Sequence, residues 1–306
     1  MPPGNDRNWF PCACLTPTMV SQQISRIRSG GAMALDTPIS DRRAPATTHR
    51  AMWALGDYAV LADEVLAPLG PILVSTSGIR PGDRVLDVAA GSGNASIAAA
   101  VAGAHVVACD LTPELLRSAQ RRAAAAGVHL SWREANAETL PFGFNEFDAV
   151  LSTIGAMFAP RHQRTADELA RVCRRGGKIS VLSWTPEGFY GQLLSTLRPY
   201  RPTLPMGAPH EVWWGREEYI GDLFSDHVCD VRTQRGSLRV ARFGQPEECV
   251  DYFKDYYGPT INAYRNISDD PQRVAQLDAE LIELSREYLT DGVMEWEYLI
   301  FTARKR

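Results

Sequence analysis

Apolar positions change period several times along the chain, and each change marks an element. From Thr47 the spacing is helical, with Met52, Leu55, Tyr58, Ala59, Ala62 and Leu66 three or four apart and Thr47 or Thr48 available as cap. A second short helix through Ile72 and Leu73 ends near Gly78, and Pro81-Gly82 turns the chain into a first strand, Val85-Leu86-Asp87-Val88. Ala89-Ala90-Gly91-Ser92-Gly93 then opens an Ala-rich helix over 95–102. The same succession follows at once: a strand over 105–110 and a helix begun by Thr112-Pro113-Glu114, with Thr as cap, Pro at the first position and an acid in the first turn. Strands over 129–134, 147–152 and 178–184 complete the run. The helix through Ala166, Leu169, Ala170 and Val172 ends at Arg174-Arg175-Gly176-Gly177. Such alternation of strand and helix predicts an α/β fold with a doubly wound sheet.

Beyond Trp184 the pattern loosens into a Pro-rich stretch over 199–209, followed by a helix from near Gly215 to Phe224. Segments at about 228–243 and 293–304 alternate polar and apolar residues, as late antiparallel edge strands do. Helical segments over about 246–257 and 271–289 lie between them. Aromatic residues concentrate here: 14 of the 27 Phe, Trp and Tyr fall between Trp184 and Tyr264. A mainly helical cap lined by Tyr190, Trp213, Trp214, Tyr256 and Tyr257 accounts for the skew and suits an apolar or aromatic ligand. Packing between cap helices accounts for it as well. The domain reading is thus an extension without a fold over 1–46, a ligand-binding core with its N-terminal helices over 47–184, and late strands plus cap over 185–306. The extension has no sustained apolar period and is rich in Pro, Ser, Thr, Gly and Arg. Met33 is a simple candidate for the natural start, and a transit peptide is the alternative for the acid-poor stretch around Arg26 and Arg28.

At 306 residues and 45% apolar content, the chain is able to bury one full core with an added smaller element. A formal charge of −4 provides no field for attracting nucleic acid, which favours a small-molecule partner. Six cysteines at 12, 14, 109, 173, 229 and 249 lack paired metal-site spacing, so we expect no metal and free thiols in a reducing cytoplasm. No run approaches the roughly 18 apolar residues of a membrane span.

The chemistry concentrates at Asp87 and the glycine turn. Gly91 and Gly93 let the backbone turn sharply and admit a ligand to the N–H groups of the helix start. A dinucleotide site asks for a third glycine where Ser96 stands, and a carboxylate at Asp87 repels a pyrophosphate but suits a cationic ligand. Asp110 follows Asp87 by 110 − 87 = 23 residues at the end of the second strand, where an acid can accept both ribose hydroxyls. An acid in the strand with Gly-x-Gly after it resembles the first motif of class I S-adenosylmethionine-dependent methyltransferases. Asn136-Ala137-Glu138-Thr139-Leu140-Pro141-Phe142 resembles the Asp-Ala-Glu-x-Leu-Pro-Phe segment of the ubiquinone- and menaquinone-biosynthesis type, with Asn136 in place of the acid that holds the adenine amine.

The resemblance implies a Rossmann-like, doubly wound, seven-stranded sheet with an antiparallel last strand, S-adenosyl-L-methionine as cofactor, and methylation of a small apolar or aromatic molecule on O, N or C. It implies cofactor contacts from Tyr58, Asp87, Ala89, Gly91, Gly93, Asp110, Leu111, Asn136, Ala137 and Thr153, and places 154–158 under the transferring methyl. His49 and His162 are the candidate bases for an acceptor that must lose a proton. Two rival classes are an NAD(P)-dependent oxidoreductase, which Ser96 and Asp87 oppose, and a non-catalytic methyltransferase-like binding partner. A nucleic-acid methyltransferase is opposed by Ser152-Thr153-Ile154-Gly155 standing where Asn-Pro-Pro-Tyr or Asp-Pro-Pro-Tyr is expected.

Overall fold

The computed structural model describes residues 44–202 and 209–306. The expectations for 1–43 and for part of the Pro-rich stretch lie outside the described residues. In chain order the elements are α1 (Ala44–Trp53), α2 (Tyr58–Glu64), α3 (Leu69–Ser77), β1 (Arg84–Val88), α4 (Asn94–Val101), β2 (His105–Asp110), α5 (Pro113–Ala125), β3 (Ser131–Glu134), β4 (Phe147–Thr153), α6 (His162–Val172) and β5 (Cys173–Trp184). Then come α7 (Phe189–Leu197), α8 (Glu217–Phe224), β6 (Val228–Val240), α9 (Pro246–Tyr256), α10 (Gly258–Asn266), α11 (Pro271–Tyr288) and β7 (Met294–Lys305). Among the described residues no single helix is long and apolar enough to cross a membrane.

One seven-stranded sheet has the order β3-β2-β1-β4-β5-β7-β6. The first five strands pair in parallel, while β7 is antiparallel to both β5 and β6. The late strands appear where alternation places them, but β7 is not an edge strand: it lies inside, between β5 and β6. The chain order reverses beside β1, between β2 and β4, so helices cover both faces and the C-terminal ends of the parallel strands form an open crevice. The segment holding α9, α10 and α11 leaves from the end of β6 and returns at the start of β7, which is that same edge of the sheet.

Several expected boundaries move. The long N-terminal helix is broken after Trp53, because Gly56 adopts φ +68° and Asp57 restarts the chain as α2 by accepting from the Ala59 N–H. A Cβ on Gly56 would lie 2.6 Å from Ile261 Cδ1, so the break is also where α10 packs. Arg174-Arg175-Gly176-Gly177 is not a helix terminus. It belongs to β5, which pairs Cys173 with Phe147 and slips register before Ala149, an irregularity that Gly176 at φ +71° permits. Thr112 stands at the N-cap of α5 but makes no side-chain cap bond to the helix. Helix α7 falls outside the expected elements: Phe189, Tyr190, Leu193, Leu194 and Leu197 are buried along one helical face, while Gln192 and Ser195 are exposed on the other.

Helices α3 and α4 cross in backbone contact: a Cβ on Gly70 would lie 2.2 Å from Asn94 O. Because main chain cannot yield cheaply, Gly70→Ala should cost about 1 to 3 kcal/mol and lower Tm by roughly 3 to 10 °C. Gly221, in α8 with nothing near its missing Cβ, is the control. There Ala should gain about 0.5 to 1 kcal/mol. Thermal unfolding of both variants checks the pair, and an unshifted Gly70→Ala would refute the close crossing.

Candidate functional site

The site is built where β1, β2 and β4 end. After Val88 the chain turns through Ala89 (φ +54°), Gly91 (φ +54°) and Gly93 (φ +87°), the last capping α4 in left-handed conformation. The turn is held from the side by Asp110, whose Oδ2 accepts from Gly91 N and Oδ1 from Thr112 N, each at 2.8 Å. Burial pushes the Asp110 carboxyl up, and the N–H groups of Thr112 and Gly91 oppose it. Tyr58 stands over the turn, its Cε1 3.6 Å from where a Gly91 Cβ would be. Burial, and then the Asp110 charge, push its phenol up. Asn94 Nδ2 donates to Ala62 O and Leu66 O, and Arg122 joins Ser92 O to the Asp63 carboxylate. The glycine turn is therefore pinned by α2 and α5 together.

Asp87 is buried below the turn. Its Oδ2 accepts from Ser96 Oγ at 2.5 Å, while Oδ1 is buried without a hydrogen-bond partner. Ser96, which the motif marks only as a missing glycine, is thus the group that orients the strand acid. Burial raises the Asp87 carboxyl to about 7, against the Ser96 hydrogen bonds and with a further push from Asp110.

At the end of β4, Thr153 Oγ1 is buried without a partner and Ile154 adopts φ +66°, an unusual conformation for a β-branched residue. The next residue touches the glycine turn: a Gly155 Cβ would lie 2.3 Å from Ala89 O. Ser152 Oγ donates to Val88 O and accepts from Ala156 N, so the two loops are stitched as well as packed. Met157 and Phe158 follow in a buried 3-10 turn, and Phe158 meets Trp53 of α1 with ring centroids 4.8 Å apart.

The loop holding Asn136 is rigid for reasons its motif does not state. Asn136 Oδ1 already accepts from Glu138 N at 2.9 Å, leaving one lone pair for any further donor. Glu138 is buried, with both carboxylate oxygens taken by Arg161. Arg164 donates to Glu138 O, and Arg171 to Leu140 O and Phe142 O. Ala135 N reaches Asp110 O, which sets Ala137 and the loop beside the half-buried Leu111.

The two histidines part ways. His162 opens α6 in a buried position, with Nδ1 2.9 Å from Tyr219 Oη and a further hydrogen bond to the Met157 backbone, so its ring is engaged on both sides. His49, in α1, packs edge-on against Trp53 and senses Glu211, Arg201 and Glu138. Burial lowers each imidazole to about 4. Of the aromatic residues expected to line the cap, Tyr190, Trp214 and Tyr257 are buried, whereas Trp213 is 37% exposed and Tyr256 packs on Tyr252. Half-buried Trp53 joins them by contact with Tyr58, Tyr257 and the buried Phe158. Among the described residues no group of three or more His, Cys, Asp and Glu is arranged to hold a metal ion.

Asp87 generates a prediction with a definite sign. Its folded value lies above the ordinary carboxylate value, so its contribution to stability is complete below about pH 4 and is lost as pH rises through about 7. The Tm advantage of Asp87→Asn over wild type should therefore widen from pH 4 to pH 7 and level off above. A difference that is flat across this range in thermal melts would refute the buried, poorly compensated carboxylate.

Comparison with known proteins agrees with this geometry. The family described as "Methyltransferase domain" matches residues 85–177. A Mycobacterium tuberculosis protein is 78% identical over 273 residues, covering 89% of this chain and all of that one. A demethylmenaquinone methyltransferase of Clavibacter sepedonicus is 36% identical over 115 residues, 37% of this chain and 46% of its own. Among solved structures, the YcgJ protein of Bacillus subtilis superposes with TM-score 0.55 at 17% identity, covering 78% and 98% of the two chains. A putative methyltransferase of Bacillus halodurans does so with 0.53 at 20%, covering 77% and 97%. The chain belongs to the class I S-adenosylmethionine-dependent methyltransferase family and is an enzyme that uses S-adenosyl-L-methionine.

Proposed function

We propose that the enzyme methylates a small, largely apolar or aromatic molecule held between the crevice at the C-terminal sheet edge and the cap. The observation that carries this reading is a continuous aromatic wall beside the glycine turn: Tyr58 on Trp53, and Trp53 on both Phe158 and Tyr257, at centroid distances of 4.8 to 5.9 Å. Tyr257 continues it to Tyr190 and Trp184, and the Trp184 and Trp214 indole N–H groups are buried without partners. Large apolar area with a few polar atoms is the usual make-up of a small-molecule site. A cytoplasmic place of action belongs to the same proposal and is supported by buried, unpaired Cys109, Cys173 and Cys249.

The cofactor side of the proposal takes Asp87, Ala89, Gly91, Gly93, Asp110, Leu111, Asn136, Ala137, Thr153 and Tyr58 as the holding residues. Their donor set fits the group. Asp87 offers an unpartnered buried acceptor oxygen to a cationic amino acid end, and Thr153 a free hydroxyl. Asp110, the acid at the end of β2, is the carboxylate a ribose hydroxyl would share with the N–H groups of Gly91 and Thr112. When bound, S-adenosylmethionine supplies an already activated methyl electrophile. What the chain adds is alignment of the acceptor and exclusion of water, and effective molarities of about 10⁵ to 10⁸ M for ideal alignment make a dedicated nucleophile unnecessary.

Calorimetry on Asp110→Ala is expected to show roughly ten- to a hundredfold weaker cofactor binding, equivalent to about 1.5 to 3 kcal/mol. Unchanged affinity in a folded variant would remove Asp110 from the site. For the chemistry, imidazoles lowered to about 4 have no titration step near pH 6.5. With an acceptor that does not itself titrate, kcat at saturation should be flat from pH 6 to 8. The double variant His49→Gln, His162→Gln should keep its rate within about threefold, worth about 0.65 kcal/mol of barrier. A loss of tenfold or more without loss of fold would make one of them the base.

A further inference from the structure

A second buried charged pair stands apart from the glycine turn. Arg201 follows the 3-10 turn Arg198–Tyr200, and Glu211 opens the 3-10 turn Glu211–Gly215. That second turn is locked to the end of β5, since a Cβ on Gly215 would lie 2.0 Å from Trp184 O. The side chains of Arg201 and Glu211 are only 6% and 13% exposed, with Arg201 Nη2 2.9 Å from Glu211 Oε1. The ion pair leaves hydrogen-bonding capacity unused: Arg201 Nη2 is engaged by Glu211 Oε1, but Arg201 Nε and Glu211 Oε2 have no hydrogen-bond partner. Burial opposes the charge on Glu211, but Arg201 foremost, then its own N–H and His210, hold its carboxyl below the ordinary value. His210 Nδ1 lies 3.2 Å from Oε2, yet burial lowers this imidazole too, and its Nδ1 is turned to the Val212 N–H. A neutral ring accepting there has no proton to give Oε2.

Buried donors and acceptors left unmade are costly, and a guanidinium fixed in plane by its ion pair with Nε–H still free is a directional recognition element. The pair stands at one end of the aromatic wall: its second turn is locked to Trp184, which stacks on Tyr190, and Tyr190 packs on Tyr257 and through it on Trp53. We propose that Arg201 and Glu211 read the methyl acceptor, the free Arg201 Nε–H donating to an acceptor oxygen and Glu211 Oε2 receiving an adjacent N–H or O–H. The ligand class selected is an apolar or aromatic body bearing a neutral donor and acceptor side by side, as in a carboxamide. A carboxylate is repelled by Glu211 and an ammonium by Arg201, because each would add an uncompensated buried charge. This inference rests on the reading that the acceptor lies at the aromatic wall.

The test uses the full chain saturated with S-adenosylhomocysteine and three probes of one shape: benzamide, benzoate and benzylammonium. Calorimetry is expected to rank benzamide at least tenfold tighter than either charged probe. Glu211→Gln, which keeps the shape and removes the counter-charge, should invert the order so that benzoate binds most tightly. Arg201→Met should abolish the benzamide preference and favour benzylammonium. Equal binding of the three probes by wild type, or an unaltered order in Glu211→Gln, would make the pair a structural tie and leave the aromatic-acceptor reading standing. Failure of all three to bind would overturn both.

Discussion

Two hydrogen bonds to one carboxylate hold the working edge of this protein together. Asp110 ends β2 and accepts the N–H groups of Gly91 and Thr112, so one side chain sets the glycine turn after β1 and the start of α5 after β2. Charge-assisted bonds of this kind are short and strong, which offsets the cost of burying the acid. The Thr112 side chain and the Leu111 N–H bond to the same carboxylate, so Asp110 is fixed in place at the crevice. The strand acid one position inward in β1, Asp87, is treated differently. Ser96 alone orients it, and burial holds its carboxyl near neutrality.

Around that bond the crevice is shaped by backbone that regular structure would not allow. Ala89 and Ile154 both adopt positive φ, and Gly155 lets the loops after β1 and β4 pass in contact. Conformations of this sort cost about 1 to 3 kcal/mol each and persist only where the surroundings over-determine them. Here Ile154 N bonds Leu182 O, and Ser152 bridges Val88 to Ala156. The loop from Asn136 to Phe142 is set by side chains from one helix: Arg161, Arg164 and Arg171 of α6 take its carboxylate and carbonyl oxygens. The crevice is thus rigid on its sheet side before any ligand arrives.

The cap divides the aromatic residues by topology. Its helices leave from β5 and β6 and return at β7, so their inner faces meet the C-terminal sheet edge and bury Trp184, Tyr190, Trp214, Tyr257 and Trp296. Part of this set is core: Trp184 stacks on Tyr190 and Phe189 on Trp296. Trp53 of α1 and Phe158 after β4 meet each other beside the glycine turn, where Tyr58 and Tyr257 also pack on Trp53.

Much of the core was legible in the chain because its information is local. A strand with one acid, a Gly-x-Gly turn and a second acid 23 residues on are consecutive features, and they set the fold class, the cofactor and the roles expected of Asp87, Gly91, Gly93 and Asp110. The alternation of β6 and β7 was equally visible. Where local pattern is mute, only the tertiary structure decided. The run from Arg174 to Gly177 looks like a helix end until Cys173 is paired with Phe147. Ser96 acquires its role from Asp87, Glu138 from Arg161, and Arg201 from Glu211, partners 9, 23 and 10 residues away in the chain. Hydrogen bonds and ion pairs depend on distances of about 3 Å, and no spacing along a sequence conveys which distant residues the fold brings that close.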